Sequence, residues 1–85
     1  MFSDIVIIPN QTGLHARPAS DLANLCKQYQ SEILIACGDR MVNAKSVIGI
    51  LSGGIKQKME VEIRVTGEDE DIAGPEIVAF IRNLK

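Results

Sequence analysis

From Met59 to Thr66 the chain alternates strictly, with Met59, Val61, Ile63 and Val65 apolar and Glu60, Glu62, Arg64 and Thr66 polar. A period of two predicts a β-strand with one buried and one wet face. Ile5-Val6-Ile7-Ile8 is a β-branched run stopped by Pro9-Asn10, and residues 33–37 form a second such run; both predict strands. Gly38-Asp39 then reads as a turn into a short strand over residues 40–43, so the last two strands make a hairpin. Elsewhere the period lengthens. From Ala16 to about Tyr29, the positions Ala19, Leu22, Ala23, Cys26 and Tyr29 follow i, i+3, i+4, i+7, with Leu25 off the stripe, and predict a helix. Ser46 as an N-cap and Ser52-Gly53-Gly54 as a stop bracket a helix of two turns at most. Its Val47, Ile50 and Leu51 are expected to face the core and Ile48 to lie near the surface. The acidic cluster Glu68-Asp69-Glu70-Asp71 suits a helix N-terminus, and Ile77, Phe80, Ile81 and Leu84 form a last helical stripe. Pro75 would remove a hydrogen bond inside that helix. The expectation is therefore a turn over residues 69–73 with the helix starting near Pro75, or a distorted first turn.

The order is β-α-β-β-α-β-α. One antiparallel sheet with its helices on a single face satisfies every amphipathic pattern, which makes this an α+β two-layer fold. At 85 residues it is expected to be one domain over residues 1–85. Hydrophobic residues at 46% and charged residues at 24% exclude a disordered chain. A net charge of −2 and an aromatic set of only Phe2, Tyr29 and Phe80 leave no footprint for nucleic acid. No apolar run approaches the ~18 residues of a membrane span, and Met1-Phe2-Ser3-Asp4 has no basic signal region. Cys26 and Cys37 fall in no metal-like spacing and the chain has one histidine. No metal or cofactor is expected, and two free buried thiols point to a reducing, cytoplasmic setting.

The candidate chemistry lies in Gly13-Leu14-His15-Ala16-Arg17-Pro18-Ala19. Pro18 suits the first turn of a helix, which places His15 at or beside the N-cap after a flexible approach through Gly13. The first backbone N–H groups, on Ala16 and Arg17, then have no acceptor within the helix. A helix start with a guanidinium nearby is an anion site. An imidazole at its mouth reads either as a helix cap or surface residue or as a nucleophile, and in the second reading the anion is a phosphoryl group carried on a ring nitrogen. No second catalytic group sits near His15 in the sequence, as a hydrolase requires; a carrier whose partners supply catalysis does not need one. Ser46 reads first as a helix cap and second as a phosphorylation site. An exposed Ile48 reads as part of a docking patch.

The two motifs, Gly13 to Ala19 and Val42-Asn43-Ala44-Lys45-Ser46-Val47-Ile48-Gly49, resemble those of the HPr family. These are the histidine-containing phosphocarriers of the bacterial phosphoenolpyruvate:sugar phosphotransferase system. The resemblance runs over essentially the whole chain and implies an open-faced β-sandwich, with four antiparallel strands and three helices on one side. By the same resemblance His15 accepts a phosphoryl group on Nδ1 from enzyme I and passes it to enzyme IIA components of sugar permeases. Arg17 and the Ala16 and Arg17 amides steady that group, and Val47, Ile48 and Leu51 dock partners. Ser46 matches the serine phosphorylated in many Gram-positive-type members by an HPr kinase/phosphorylase, the product acting with a catabolite-control regulator. A carrier, not an enzyme, is implied, and a monomer is the default expectation. The alternative is a regulatory paralogue acting mainly as an interaction module in catabolite or nitrogen control. Four departures stand out from the family pattern: Asp21 at a position often apolar, Gly53-Gly54 after Ser52, Gln57-Lys58-Met59 without the Gly usual in the turn before the last strand, and Gly74-Pro75 in the last helix.

Overall fold

Burial of Val61, Ile63 and Val65 puts their strand at the centre of the molecule. In the computed structural model, which describes residues 1–85, β1 (Phe2–Ile7) and β2 (Glu32–Cys37) flank β4 (Glu60–Thr66), and β3 (Arg40–Asn43) lies outside β2. All pairs are antiparallel: Val6 faces Val61, Ile33 faces Val65 and Ile35 faces Ile63. The two-residue hairpin closes with Cys37 opposite Arg40, its Gly38 at φ +59°. Three helices, α1 (Ala16–Cys26), α2 (Val47–Ser52) and α3 (Glu70–Arg82), complete the predicted order.

The inward residues Val6, Ile33, Ile35, Val42, Val61, Ile63 and Val65 join Leu22, Cys26, Ile50, Ile77 and Ile81 in one core. Each full burial of a Val or Ile side chain contributes about 1.5–3 kcal/mol. The opposite sheet face is uncovered, leaving Ile5, Ile7 and Met41 exposed. The two cysteines are free and buried. Burial pushes the Cys26 thiol up to about 12 against the pull of the Lys45 ammonium, so it stays protonated at neutral pH.

Two helix boundaries differ from expectation. α3 has no preceding turn over residues 69–73: it starts at Glu70 and continues through Pro75 to Arg82. The proline ring points to solvent, and the helix forgoes only the one hydrogen bond that Pro75 has no N–H to make. Gly74 beside it is buried, and a Cβ there would lie 2.3 Å from the Phe2 ring. The glycine is a slot that lets β1 lay its aromatic residue on α3. At the other boundary α1 ends at Cys26, not near Tyr29. Residues 27–30 wind as turns, with Gln28 N–H on Leu25 O and Tyr29 N–H on Cys26 O. The Asp69 carboxylate then takes the Gln30 N–H at 2.8 Å, the Ser31 N–H at 3.0 Å and the Ser31 hydroxyl. Those amides are committed to the start of α3, so the first helix stops short.

Gly74→Ala is expected to lose about 1–3 kcal/mol of unfolding free energy through overpacking against Phe2; an unchanged urea midpoint contradicts the slot. The hydroxyl and amide hydrogen bonds to Asp69 hold its carboxyl below the usual carboxylate range. A depressed folded value means a contribution present above the unfolded value, near pH ~4, and lost as pH falls through the folded value. Asp69→Asn should therefore be less stable than wild type at neutral pH, the difference shrinking on acidification. Urea titrations at two pH values check this, and a gap that widens in acid refutes it.

Candidate functional site

The helix that carries the histidine starts as its sequence requires. His15 is the N-cap of α1, with extended backbone at φ −86° and ψ −167°. Its carbonyl accepts the Ala19 N–H at 2.8 Å, the first bond of the helix. Pro18 has no N–H, so the helix leaves two donors free, the amides of Ala16 and Arg17. The imidazole makes no capping bond and is exposed. Nothing in the fold competes for its ring nitrogens. Arg17 projects almost wholly into solvent, 91% exposed, with Nε 4.0 Å from Asp21 Oδ2. An exposed pair at that distance is worth about 0–1 kcal/mol, which leaves the guanidinium free to turn toward another anion.

The loop ahead of His15 is closely packed, where a flexible approach through Gly13 is the expectation from sequence. Gly13 has φ +62°, and a Cβ there would lie 2.4 Å from Ile55 O and 2.8 Å from Lys56 Cα. Both the left-handed backbone and the missing side chain are needed. Leu14 and Ile55 are buried, and Leu14 N–H donates to Ile55 O at 3.1 Å. The start of α1 is thereby seated on the segment that follows α2.

Ser46 is the N-cap of α2, its Oγ accepting the Gly49 N–H at 3.0 Å. Gly53 ends the helix in a right-handed conformation and Gly54 follows at φ +64°. The helix ends at the glycine pair, and that end is held in place. A Cβ on Gly53 would lie 2.9 Å from Val42 Cγ2, and Arg40 Nη1 donates to Ser52 O at 3.0 Å, so the end is tied to β3. Ile50 is fully buried and Val47 half-buried, but Leu51 is 44% exposed and Ile48 77% exposed. The core position expected for Leu51 is therefore corrected. So short a helix rests on one row, Val47 and Ile50 at i, i+3, and Leu51 falls past the edge of that contact. Exposed Ile48 and Leu51 lie on a helix packed against α1.

Lys58 adopts φ +70° in the turn into β4, a left-handed conformation costing about 1–2 kcal/mol for an L side chain. Its N–H donates to Ile8 O at 2.8 Å while Ile8 N–H donates to Met59 O at 3.0 Å, so the strained turn extends the pairing of β1. The three surface hollows are shallow and none includes His15 or Arg17. An exposed imidazole outside any cleft is open to a reactant presented by another macromolecule. One residue of this region is not singled out by sequence reasoning. Asn10, which enters there only in the Pro9-Asn10 stop after the first strand, is 2% exposed and donates to Gly13 O and Thr12 Oγ1. An Asn placed three residues before a left-handed Gly is the available signal.

Residues 2–83 match the family described as "PTS HPr component phosphorylation site". The phosphocarrier protein HPr of Mycoplasma capricolum subsp. capricolum is 39% identical over 67 residues, covering 79% of this chain and 75% of that protein. The phosphocarrier protein HPr of Xylella fastidiosa is 34% identical over 73 residues, covering 86% and 82% respectively. Among solved structures, HPr-C-His from Thermoanaerobacter tengcongensis superposes with a TM-score of 0.93 at 36% identity, over 96% of this chain and 92% of that one. Sequence and architecture agree, and the chain belongs to the HPr phosphocarrier family of the phosphotransferase system.

Proposed function

We propose that this chain accepts a phosphoryl group from phosphorylated enzyme I on Nδ1 of His15 and passes it to enzyme IIA components of sugar permeases. The observation that carries this reading is the exposed, uncommitted imidazole at a helix start with two unpaired amides. In the accepting step the bond from phosphorus to enzyme I breaks as the bond to the imidazole nitrogen forms. In the donating step that new bond breaks toward the next acceptor. The Ala16 and Arg17 amides and the Arg17 guanidinium hold the dianionic oxygens, and the partners supply the remaining catalytic groups. The chain is thus a carrier and not itself an enzyme, and it needs no cofactor.

Val47, Ile48 and Leu51 form the docking surface. A small apolar patch favours brief association, which a carrier needs because it must leave one partner before meeting the next. Ser46 is the regulatory phosphorylation site on the same element: a phosphate on Oγ would put negative charge beside that patch. HPr kinase/phosphorylase and a catabolite-control regulator are the partners of that second reaction. Residues 1–85 act as one domain and one copy holds the whole site, in keeping with a monomer in the cytoplasm. No helix is long and apolar enough to cross a membrane.

With phosphoenolpyruvate and enzyme I, wild type should acquire an acid-labile, base-stable phosphoryl group, and His15→Ala should acquire none. Equal labelling of the two would sink the proposal. Arg17→Ala should still label, about 10–100-fold more slowly, as expected for loss of a charge-assisted hydrogen bond worth about 1.5–3 kcal/mol; quench-flow rates matching wild type would remove Arg17 from the site.

A further inference from the structure

The peptide unit joining Gly13 to Leu14 is held from both sides. Its carbonyl oxygen accepts an Asn10 Nδ2 hydrogen at 2.8 Å, and its N–H donates to Ile55 O at 3.1 Å. Asn10 grips the preceding peptide as well, because its main-chain carbonyl accepts the Gly13 N–H at 3.2 Å. The second hydrogen of the same amide goes to Thr12 Oγ1 at 3.1 Å. Both donors of one side chain, and its own carbonyl, are therefore spent on residues 12 and 13. Leu14 follows, buried, and His15 comes next. Little slack remains between this clasp and the imidazole.

The acceptor end of the same side chain has the opposite character. Asn10 Oδ1 is buried and receives no hydrogen bond, an arrangement that costs stability. A residue chosen for packing alone would be apolar here. The position calls for a double donor of this shape, and a carboxylate would offer none while placing charge against the Gly13 carbonyl.

We infer that Asn10 is a positioning residue for phosphoryl transfer. It fixes the Gly13–Leu14 peptide and so aims the His15 ring and the free Ala16 and Arg17 amides at one point. The inference rests on the carrier reading for the identity of the group held there. Asn10 itself touches neither that group nor the reacting nitrogen; it acts through Gly13.

The test uses full-length wild type, Asn10→Ala and Asn10→Asp. Each is assayed as acceptor from enzyme I with phosphoenolpyruvate, over a range of acceptor concentrations. Unfolded fraction is read by circular dichroism at the assay temperature, and amide positions by ¹H–¹⁵N spectra. Misaimed reacting groups should lower kcat by about tenfold or more in both variants. KM should stay within about twofold, because the docking residues are untouched. The Leu14, Ala16 and Arg17 amide resonances should move in both variants. Wild-type kcat in the variants overturns the inference, as does a loss confined to KM or one that only follows the unfolded fraction. A wild type that takes no phosphoryl group defeats the carrier reading instead. The amide spectra then decide the positioning claim alone, unmoved resonances overturning it and shifted ones upholding it.

Discussion

At residue 13 the chain passes so close to the backbone of Ile55 and Lys56 that no side chain fits between them. That approach, together with the hydrogen bond from Leu14 to Ile55, seats the beginning of α1 against the far end of α2. Everything chemical on the surface is placed by it. His15 stands at the helix mouth behind a loop held against Ile55 and Lys56. The exposed apolar residues of α2 belong to a helix that packs against α1, and the segment leaving that helix is what the loop rests on. A displacement there would move His15 relative to the exposed apolar residues of α2, two features contributed by different parts of the chain.

The rest of the architecture supplies a floor for this arrangement with little material. One sheet buries one face, and a single core holds both the strands and the three helices. With only two layers there is no second lobe to close over a substrate, and the hollows that exist do not reach His15. On the proposed reading this is an advantage. A phosphorylated imidazole is reactive enough to pass its group on, and it must reach the acceptor of a second protein. Donors that hold the oxygens without a base to activate water fit that need.

Several features that look like defects in the sequence are joints in the structure. Gly74 admits the ring of Phe2, and Gly53 admits Val42. Lys58 carries a left-handed backbone that brings the turn into β4 alongside Ile8. Asp69, in an acidic run suited to a helix start, turns its carboxylate to the amides of Gln30 and Ser31 and ties α3 to the beginning of β2. Each is a local irregularity accepted because a long-range contact repays it.

The periodic parts were legible from the residues alone. Alternation in β4, the stripe of α1, the Gly38-Asp39 hairpin and the cap at Ser46 are local patterns, and local hydrogen bonding and burial enforce them whatever the remainder of the chain does. The position of His15 at a helix start was legible for the same reason, since Pro18 permits little else. What only the tertiary structure decided are contacts between residues distant in sequence. The length of α1 was settled by Asp69, the continuity of α3 through Pro75 by Phe2 against Gly74, and the exposure of Leu51 by how much of α2 the core could cover. The close fit at Gly13 depends likewise on chain arriving from residues 55 and 56. A pattern of polar and apolar residues states which face must be buried. It does not state which distant backbone will come within a few ångströms of that face, and that proximity sets the geometry of the site.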